Sequence, residues 1–334
     1  MDNIINKTNI VEVHFTAFDA FLISFDVISF IIYFMISIIF SIKLLKKSKA
    51  RSEPSTFELH FIVNFIFDVI QTSIIIFYQK FLHWGLFTDF YMEHKWVEKW
   101  YAPMLYSSIA SAILGNMVCV INRYVALCHC TFYMKKWTLN WSYLLIITQT
   151  ILPFIMFSFN FWFKAEKVYA ASLKVYIFMV TDPTVSMINN GLISFLSGVA
   201  SIITISMNLI IISKYDKLMN NITKNEKSKR ISMLFYAIFI TLTLAALSIQ
   251  QSVRLFFVFY KYQIGLYLVT YYLFIIVPLI GCVQPYILLI LSKSVRKDFG
   301  RFYFGWIYKN EVCTNKTKGT TFISKKNKVT DCII

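Results

Sequence analysis

The chain alternates between seven long apolar stretches and shorter segments that hold most of its charged side chains. A run of about 20 apolar residues is long enough for a helix to cross the ~30 Å hydrocarbon core of a bilayer, whereas soluble helices and strands repeat their apolar residues at a regular spacing. The pattern therefore predicts seven membrane-spanning helices. The predicted spans are residues 21–45, 57–78, 101–121, 141–163, 187–213, 231–259 and 266–291.

The composition agrees with this pattern. Of the 334 residues, 57% are hydrophobic and only 15% are charged, whereas about a quarter of a soluble domain is charged. We therefore predict an all-α membrane protein, a seven-transmembrane helix bundle, and exclude soluble, disordered and disulfide-rich secreted classes. Pro153, Pro278 and Pro285 fall inside predicted spans, which bundled membrane helices tolerate.

The basic residues predict the orientation of the chain. Of the 33 Lys and Arg, 24 follow the odd-numbered spans and nine lie on the opposite side. Because cytoplasmic loops are the basic ones, the amino terminus is expected outside and the carboxyl terminus in the cytoplasm. The predicted divisions are an extracellular segment 1–20, the helical domain 21–292, an amphipathic inner-leaflet helix 293–310 and a disordered cytoplasmic tail 311–334.

The net charge of +16 is explained by these basic loops. Positive loops beside anionic cytoplasmic lipid predict the bilayer as the partner and give no reason to expect nucleic acid. The sequon at Asn6 would face outside and is a glycosylation candidate. None of the six cysteines is expected in an outer loop, so no structural disulfide is predicted, while palmitoylation of Cys128, Cys130 or Cys313 is left open.

Polar residues within the spans need a partner or a cavity. Asp68 is predicted near the middle of the second span, with Asn64 one helical turn away. Two interpretations stay open for this pair. One is a hydrated polar core that holds a cation or proton and rearranges when the bundle switches state, and the other is a hydrogen-bonded contact between helices.

A second polar group is predicted near the outer ends of the later spans. Arg254 and Asp26 lie close enough to the bilayer surface to reach water, so an interfacial position is the default for both. Alternatively, the group lines an outer ligand cavity, although helix packing is the more common role for any single member. The candidate pocket residues are Asn189, Asn190, Gln250, Gln251, Arg254, Tyr271 and Tyr272.

The inner end of the third span carries the triplet Asn122-Arg123-Tyr124. An arginine at this position either anchors the helix at the lipid surface or acts as a conformational switch toward a cytoplasmic partner. The residues alone do not decide between these roles.

Seven spans, an outside amino terminus, this triplet and an amphipathic eighth helix together resemble a G-protein-coupled receptor. The Asn-Arg pair, Trp137 and the proline-bearing seventh span are similar to nematode serpentine chemoreceptors, most closely class gamma, with the sibling classes v and x as alternatives. The resemblance implies that Arg123 is the switch residue beside a heterotrimeric G protein and that Asp68 is the polar position of the second helix. It also implies a small-molecule ligand and a plasma-membrane location in sensory cilia, and it allows a receptor dimer.

Two departures separate the chain from rhodopsin-like receptors. The seventh-helix motif is Gln284-Pro285-Tyr286-Ile287-Leu288, which matches the rhodopsin-like pattern only at its proline, and the outer third-helix cysteine is absent.

Two other functional classes are weighed against a chemosensory receptor. A seven-helix ligand-gated channel or transporter is the alternative, although the orientation and the lack of paired broken helices argue against it. An enzyme is not expected because the sequence has no nucleophile motif, metal-ligand spacing or Gly-rich phosphate loop. No cofactor or metal is therefore predicted.

Overall fold

The computed structural model describes residues 15–49, 56–129, 131–133, 137, 139–170, 175–214 and 224–305. Within these ranges, seven helices are long and apolar enough to cross a membrane, and the predicted seven-helix bundle is confirmed. The spanning helices are α1 Ala17–Lys49, α2 Thr56–His83, α3 Lys95–Cys128, α4 Leu139–Trp162, α5 Pro183–Ser213, α6 Lys224–Phe259 and α7 Gln263–Leu291. A short helix, Thr88–Glu93, lies between α2 and α3.

Several helices are longer than their apolar stretches. Helix α3 begins at Lys95 and not at residue 101, and α2 runs to His83 and not to residue 78. Hydropathy marks only the part of a helix that matches the hydrocarbon, whereas the hydrogen-bonded ends continue through charged residues. Local caps fix other starts. Thr16 and Asp19 exchange backbone and side-chain hydrogen bonds at the start of α1, and Asp182 accepts from the Thr184 and Val185 amides at the start of α5.

A β-hairpin lies between α4 and α5 and was not predicted. Strand β1, Ala165–Ala170, pairs antiparallel with β2, Val175–Val180. Both strands contain β-branched or aromatic residues, which favour extended backbone, but each strand is short and adjoins long apolar helices that mask its signal. Phe178 and Val180 on β2 are buried against the bundle, so the hairpin covers one end of it.

Helix α3 forms the centre of the bundle. It has the largest buried share of the seven spans, whereas α4 has the smallest. It packs against α2, α4, α5 and α6. Small side chains permit close approach of helices in lipid, and α3 is rich in Ala, Ser and Gly along its buried length. The tightest approach is at Gly115, where α2 and α4 bring Asn64 and Gln149 against the backbone.

A further helix, α8, follows α7 over Lys293–Tyr303. Ser292 caps it, Lys43 of α1 forms a 2.6 Å salt bridge with Asp298, and the Tyr303 hydroxyl donates to the Met35 carbonyl at 2.9 Å. These contacts fix α8 against the end of α1. Its position on an inner leaflet remains a prediction.

Some predictions fall on residues outside the described ranges. They are the Asn6 glycosylation site, the disordered tail 311–334, the end of the amphipathic helix at 306–310, and the modification of Cys130 or Cys313. Cys119, Cys128 and Cys282, which the structure describes, are free thiols.

Replacing Gly115 tests the central packing. A Cβ atom at this position would lie 2.3 Å from both Asn64 Oδ1 and Gln149 Nε2. We expect Gly115→Ala to destabilise the protein by about 1–3 kcal/mol because one of these buried amides must move. The measurement is the melting temperature of the protein purified in a neutral detergent.

Gly191→Ala is the matched control, since nothing lies within 4 Å of a Cβ atom there. Alanine is the better helix former, so this substitution should leave the melting temperature unchanged or raise it. Equal melting temperatures for both variants would contradict the packing described for α3.

Candidate ligand cavity, polar core and inner end

A cavity opens at the end of the bundle where α2 ends and α3 begins. We call it the outer cavity, after the predicted orientation. Its walls come from α2, α3, α5, α6, α7 and strand β2, and its empty space is about 550 Å³ when the open mouth is counted. The lining residues are Gln79, Tyr101, Tyr106, Ile177, Phe178, Met179, Val180, Ser186, Arg254, Leu266, Tyr267 and Thr270.

Arg254 is the one charged residue among those that line this cavity. It is only 7% exposed, and its Nε and Nη1 atoms are buried without a hydrogen-bond partner. No Asp or Glu of the described residues forms a salt bridge with it. The default prediction of an interfacial arginine is therefore wrong, because Arg254 is buried and lines the cavity without a salt bridge to any described residue.

A π-helical turn at Ile76–Lys80 shapes the end of α2. Such turns hold one extra residue and frequently occur at functional sites. Here the turn directs two consecutive polar side chains inward. Gln79 lines the cavity and its Nε2 lies 3.5 Å from the Tyr101 hydroxyl, while Lys80 faces Asp26 of α1.

Lys80 and Asp26 form a buried salt bridge with an N–O distance of 3.1 Å and side-chain exposures of 2% and 7%. The interfacial position expected for Asp26 is wrong, because its counter-ion lies inside the bundle. Sequence analysis missed this pair since Lys80 falls beyond the predicted end of the second span at residue 78. The pair could have been found from the sequence, because Asp26 and Lys80 lie near the same end of two adjacent helices.

The other candidate pocket residues do not line the outer cavity. The amides of Asn189 and Asn160 exchange hydrogen bonds of 2.6 and 2.9 Å, and Asn190 donates to the Ser186 carbonyl. Asn189 therefore joins α5 to α4, whereas the Asn190 bond lies within α5. Gln250 donates to the Val269 carbonyl at 3.0 Å and so joins α6 to α7.

Three further candidates also lie away from the cavity. Gln251 is buried with neither amide atom hydrogen-bonded. Tyr271 lies beside the ring of His83, and Tyr272 is 55% exposed on the bundle surface. Tyr267, one helical turn before Tyr271, takes the position on the cavity wall. The prediction had the right region but the wrong helical face.

The predicted polar pair lies in the middle of the bundle. Asn64 donates to Cys119 Sγ at 3.1 Å and accepts from Gln149 Nε2 at 3.0 Å, which links α2, α3 and α4. Asp68 is buried beside the Tyr33 hydroxyl, and its Oδ2 atom has no hydrogen-bond partner. A Cβ atom on Gly281 would lie 2.9 Å from the Asp68 side chain, so α7 passes very close to it.

Gln284 completes this polar core, although sequence analysis treated it only as a departure from a motif. It is fully buried. Its Oε1 accepts from the hydroxyls of Tyr33 at 3.3 Å and Tyr236 at 3.0 Å, and its Nε2 donates to Asn116 Oδ1 at 2.9 Å. One side chain of α7 thereby contacts α1, α3 and α6. Its position directly before Pro285 is the sequence feature that could have identified it as part of the polar core.

The inner end of α3 is closed by aromatic contacts. The Cζ atom of Arg123 lies 3.3 Å from the centroid of the Phe57 ring and 5.4 Å from that of Tyr236. Among the described residues, no salt bridge involves Arg123, and its Nε has no partner. The guanidinium therefore bridges α2 and α6 by cation–π contact.

The residues on either side of Arg123 have separate contacts. Asn122 Oδ1 accepts from Thr56 at 3.3 Å, and Thr56 also hydrogen-bonds the Tyr133 hydroxyl at 2.8 Å. Burial raises the pKa of Tyr133, which keeps this hydroxyl protonated at neutral pH. Tyr124 points elsewhere and contacts His129, with 3.3 Å between its hydroxyl and Nε2. The predicted triplet is thus divided between two environments.

A seven-helix bundle with a polar core and an arginine at the inner end of α3 has the architecture of the G-protein-coupled receptors. The family model described as "Serpentine type 7TM GPCR chemoreceptor Srv" matches residues 22–303, and the chain belongs to this family. It is therefore a multi-pass membrane protein and a chemosensory receptor, and its family is not one of enzymes. No curated protein matches the chain.

The match is to Srv, one of the sibling classes considered from the sequence. Assignment to class gamma, which the sequence favoured, is not confirmed. The Asn-Arg pair, Trp137 and the prolines of α7 are features too short to separate sibling classes.

A double-mutant cycle tests the buried salt bridge between Asp26 and Lys80. We expect Asp26→Leu and Lys80→Met each to destabilise the protein by about 3–5 kcal/mol, because each leaves the other charge buried alone. The variant with Asp26→Leu and Lys80→Met should recover much of this loss. Thermal melting of the purified protein gives the comparison.

The pair of Lys43 and Asp298 is the matched control, since its side chains are 31% and 29% exposed. Breaking an exposed pair is worth about 0–1 kcal/mol. Additive losses in the Asp26 and Lys80 cycle, or equal effects at both pairs, would show that the buried charges do not depend on each other.

Proposed function

We propose that this chain binds a small-molecule cue in the outer cavity and transmits the signal to a heterotrimeric G protein at its inner end. The observation that carries the proposal is the contrast between the two ends of the bundle. The outer end is an open cavity lined by Arg254, which has no salt bridge among the described residues, whereas Arg123 and its aromatic partners close the inner end.

The proposed switch is the contact of Arg123 with Phe57 and Tyr236. It joins α2, α3 and α6 at the inner end, and its separation would free a positive side chain and open the space between these helices. Asn122 would then also release Thr56, and Tyr124, whose hydroxyl contacts His129, flanks the switch in the sequence. A ligand needs to favour the open state by only a few kcal/mol to shift the two populations.

The polar core supports coupling between the ends. Gln284 bonds to groups on α1, α3 and α6, and Asn64 bonds to α3 and α4. Asp68 lies beside them with an unpartnered oxygen. A displacement of α6 or α7 at the outer cavity would change these bonds before it reached Arg123.

The proposed setting follows from the same assignment. The receptor would lie in the plasma membrane of sensory cilia, with its amino terminus outside and its carboxyl terminus facing the G protein. Pairing with a second receptor copy is compatible with the exposed faces of α1 and α4, but no contact argues for it.

The switch is testable without knowing the ligand. We expect Phe57→Leu to raise ligand-independent signalling, because it removes a ring that holds the Arg123 guanidinium. A buried cation–π contact is worth about 1–2 kcal/mol, which corresponds to a roughly 5–30-fold change in the ratio of the two states. The measurement is second-messenger output in cells that co-express a promiscuous G protein, normalised to receptor at the cell surface.

Adding Arg123→Glu to Phe57→Leu should abolish the raised signal at equal surface expression. The exposed Lys297→Glu is the matched charge reversal near the same end and should leave signalling intact. Persistent signalling in the Phe57→Leu and Arg123→Glu double variant would refute the switch role. An ionic current in cells without G proteins would instead favour a channel.

A further inference from the structure

The guanidinium of Arg254, which forms no salt bridge with the described residues, identifies the chemistry of the outer cavity more closely. A buried cation without a counter-ion is unfavourable in a low-dielectric interior, and no acidic side chain is present on the cavity wall to compensate it. The other buried cation at this depth, Lys80, is already neutralised by Asp26. The outer cavity therefore presents one uncompensated positive charge.

We infer that the outer cavity binds a small organic monocarboxylate, whose carboxylate is held by Arg254 and Tyr101 and whose apolar body lies between the aromatic walls. This inference rests on the proposed function and names the class of its ligand.

The donors around Arg254 fit a carboxylate. Arg254 is the one charged residue on the cavity wall, and it has no salt-bridge partner among the described residues. A planar guanidinium can bind the two oxygens of one carboxylate through parallel N–H groups. The Tyr101 hydroxyl lies beside the guanidinium and near Gln79 Nε2, both of which can only donate to it. Its own O–H is thereby left to donate to a ligand oxygen.

The single charge also selects among anions. A phosphate monoester carries close to two negative charges near neutral pH, and the one unpaired cation of the cavity would leave one of them uncompensated. An alcohol or a primary amide would leave the arginine without a counter-charge. A monocarboxylate carries one negative charge, so it neutralises the arginine and leaves no charge of its own uncompensated.

Apart from Gln79, Ser186 and Thr270, the rest of the wall is apolar or aromatic and suits an aliphatic or aryl body. Tyr106 of α3 and Leu266 of α7 lie on the helical side, and Phe178 and Val180 of β2 form the cover. Phe178 stacks on Tyr101, with 5.0 Å between ring centroids. Displacement of the hairpin would therefore move Tyr101, one of the two proposed anion contacts.

Matched probes test the inference. The receptor is purified in a maltoside detergent, placed in nanodiscs of neutral phosphatidylcholine, and titrated with octanoate and 3-phenylpropanoate, with their primary amides and 1-octanol as neutral analogues. We expect at least one carboxylate to raise the melting temperature while its amide does not. Arg254→Gln should weaken that carboxylate by about tenfold or more, and Arg254→Lys by less, because charge remains without the bidentate geometry.

Arg301→Gln is the control, since it removes an exposed arginine far from the cavity on α8. Tyr101→Phe provides a second variant that keeps the ring, and it should weaken carboxylate binding several-fold. The inference is overturned if no carboxylate shifts the wild-type receptor, if amides act equally, or if Arg254→Gln and Tyr101→Phe leave the carboxylate response unchanged.

A signalling assay in cells separates this inference from the proposed function. Binding of carboxylates that depends on Arg254 but evokes no G-protein signal would uphold the ligand class and refute the proposed function. Signalling that is evoked by neutral compounds and unchanged in Arg254→Gln would uphold the proposed function and refute the ligand class.

Discussion

In a membrane bundle, polar side chains that leave water must find their partners in the protein, because lipid offers none. This constraint explains why the polar core depends on the close packing of the helices around it. Gly115 brings α2 and α4 close enough for Asn64 and Gln149 to bond, and Gly281 brings α7 against Asp68. Both close approaches are possible only because the helix lacks a side chain at that point.

The same constraint makes the incompletely satisfied groups informative. Asp26 and Lys80 neutralise each other, and Gln284 has partners for both ends of its amide. Arg254, Arg123 and Asp68 retain atoms without partners. Arg254 lies at the outer cavity, Asp68 in the polar core and Arg123 at the inner end, so they follow the route along which a receptor of this class would have to change shape.

The seven helices could be predicted because the apolar stretches are long and the helix ends need only approximate placement. The side chains that share a cavity could not, because that depends on helical phase and on tertiary contacts. Arg254 and Tyr271 are both near the outer end, yet only Arg254 faces the cavity. Asp26 appeared interfacial because its partner Lys80 lay past the end of the apolar stretch. Gln284 appeared only as a mismatch to the rhodopsin-like motif, since its three partners come from three other helices.

The turn at the end of α2 has a consequence for how the cavity is inherited within the family. A π turn accommodates one residue more than an α turn, so the side chains beyond Lys80 are rotated by about 100° relative to a regular helix. Relatives that lose or shift this single residue would present a different face of α2 to the ligand even with every other amino acid retained. Ligand preference can therefore diversify through insertions and deletions at this position, without any substitution in the wall itself.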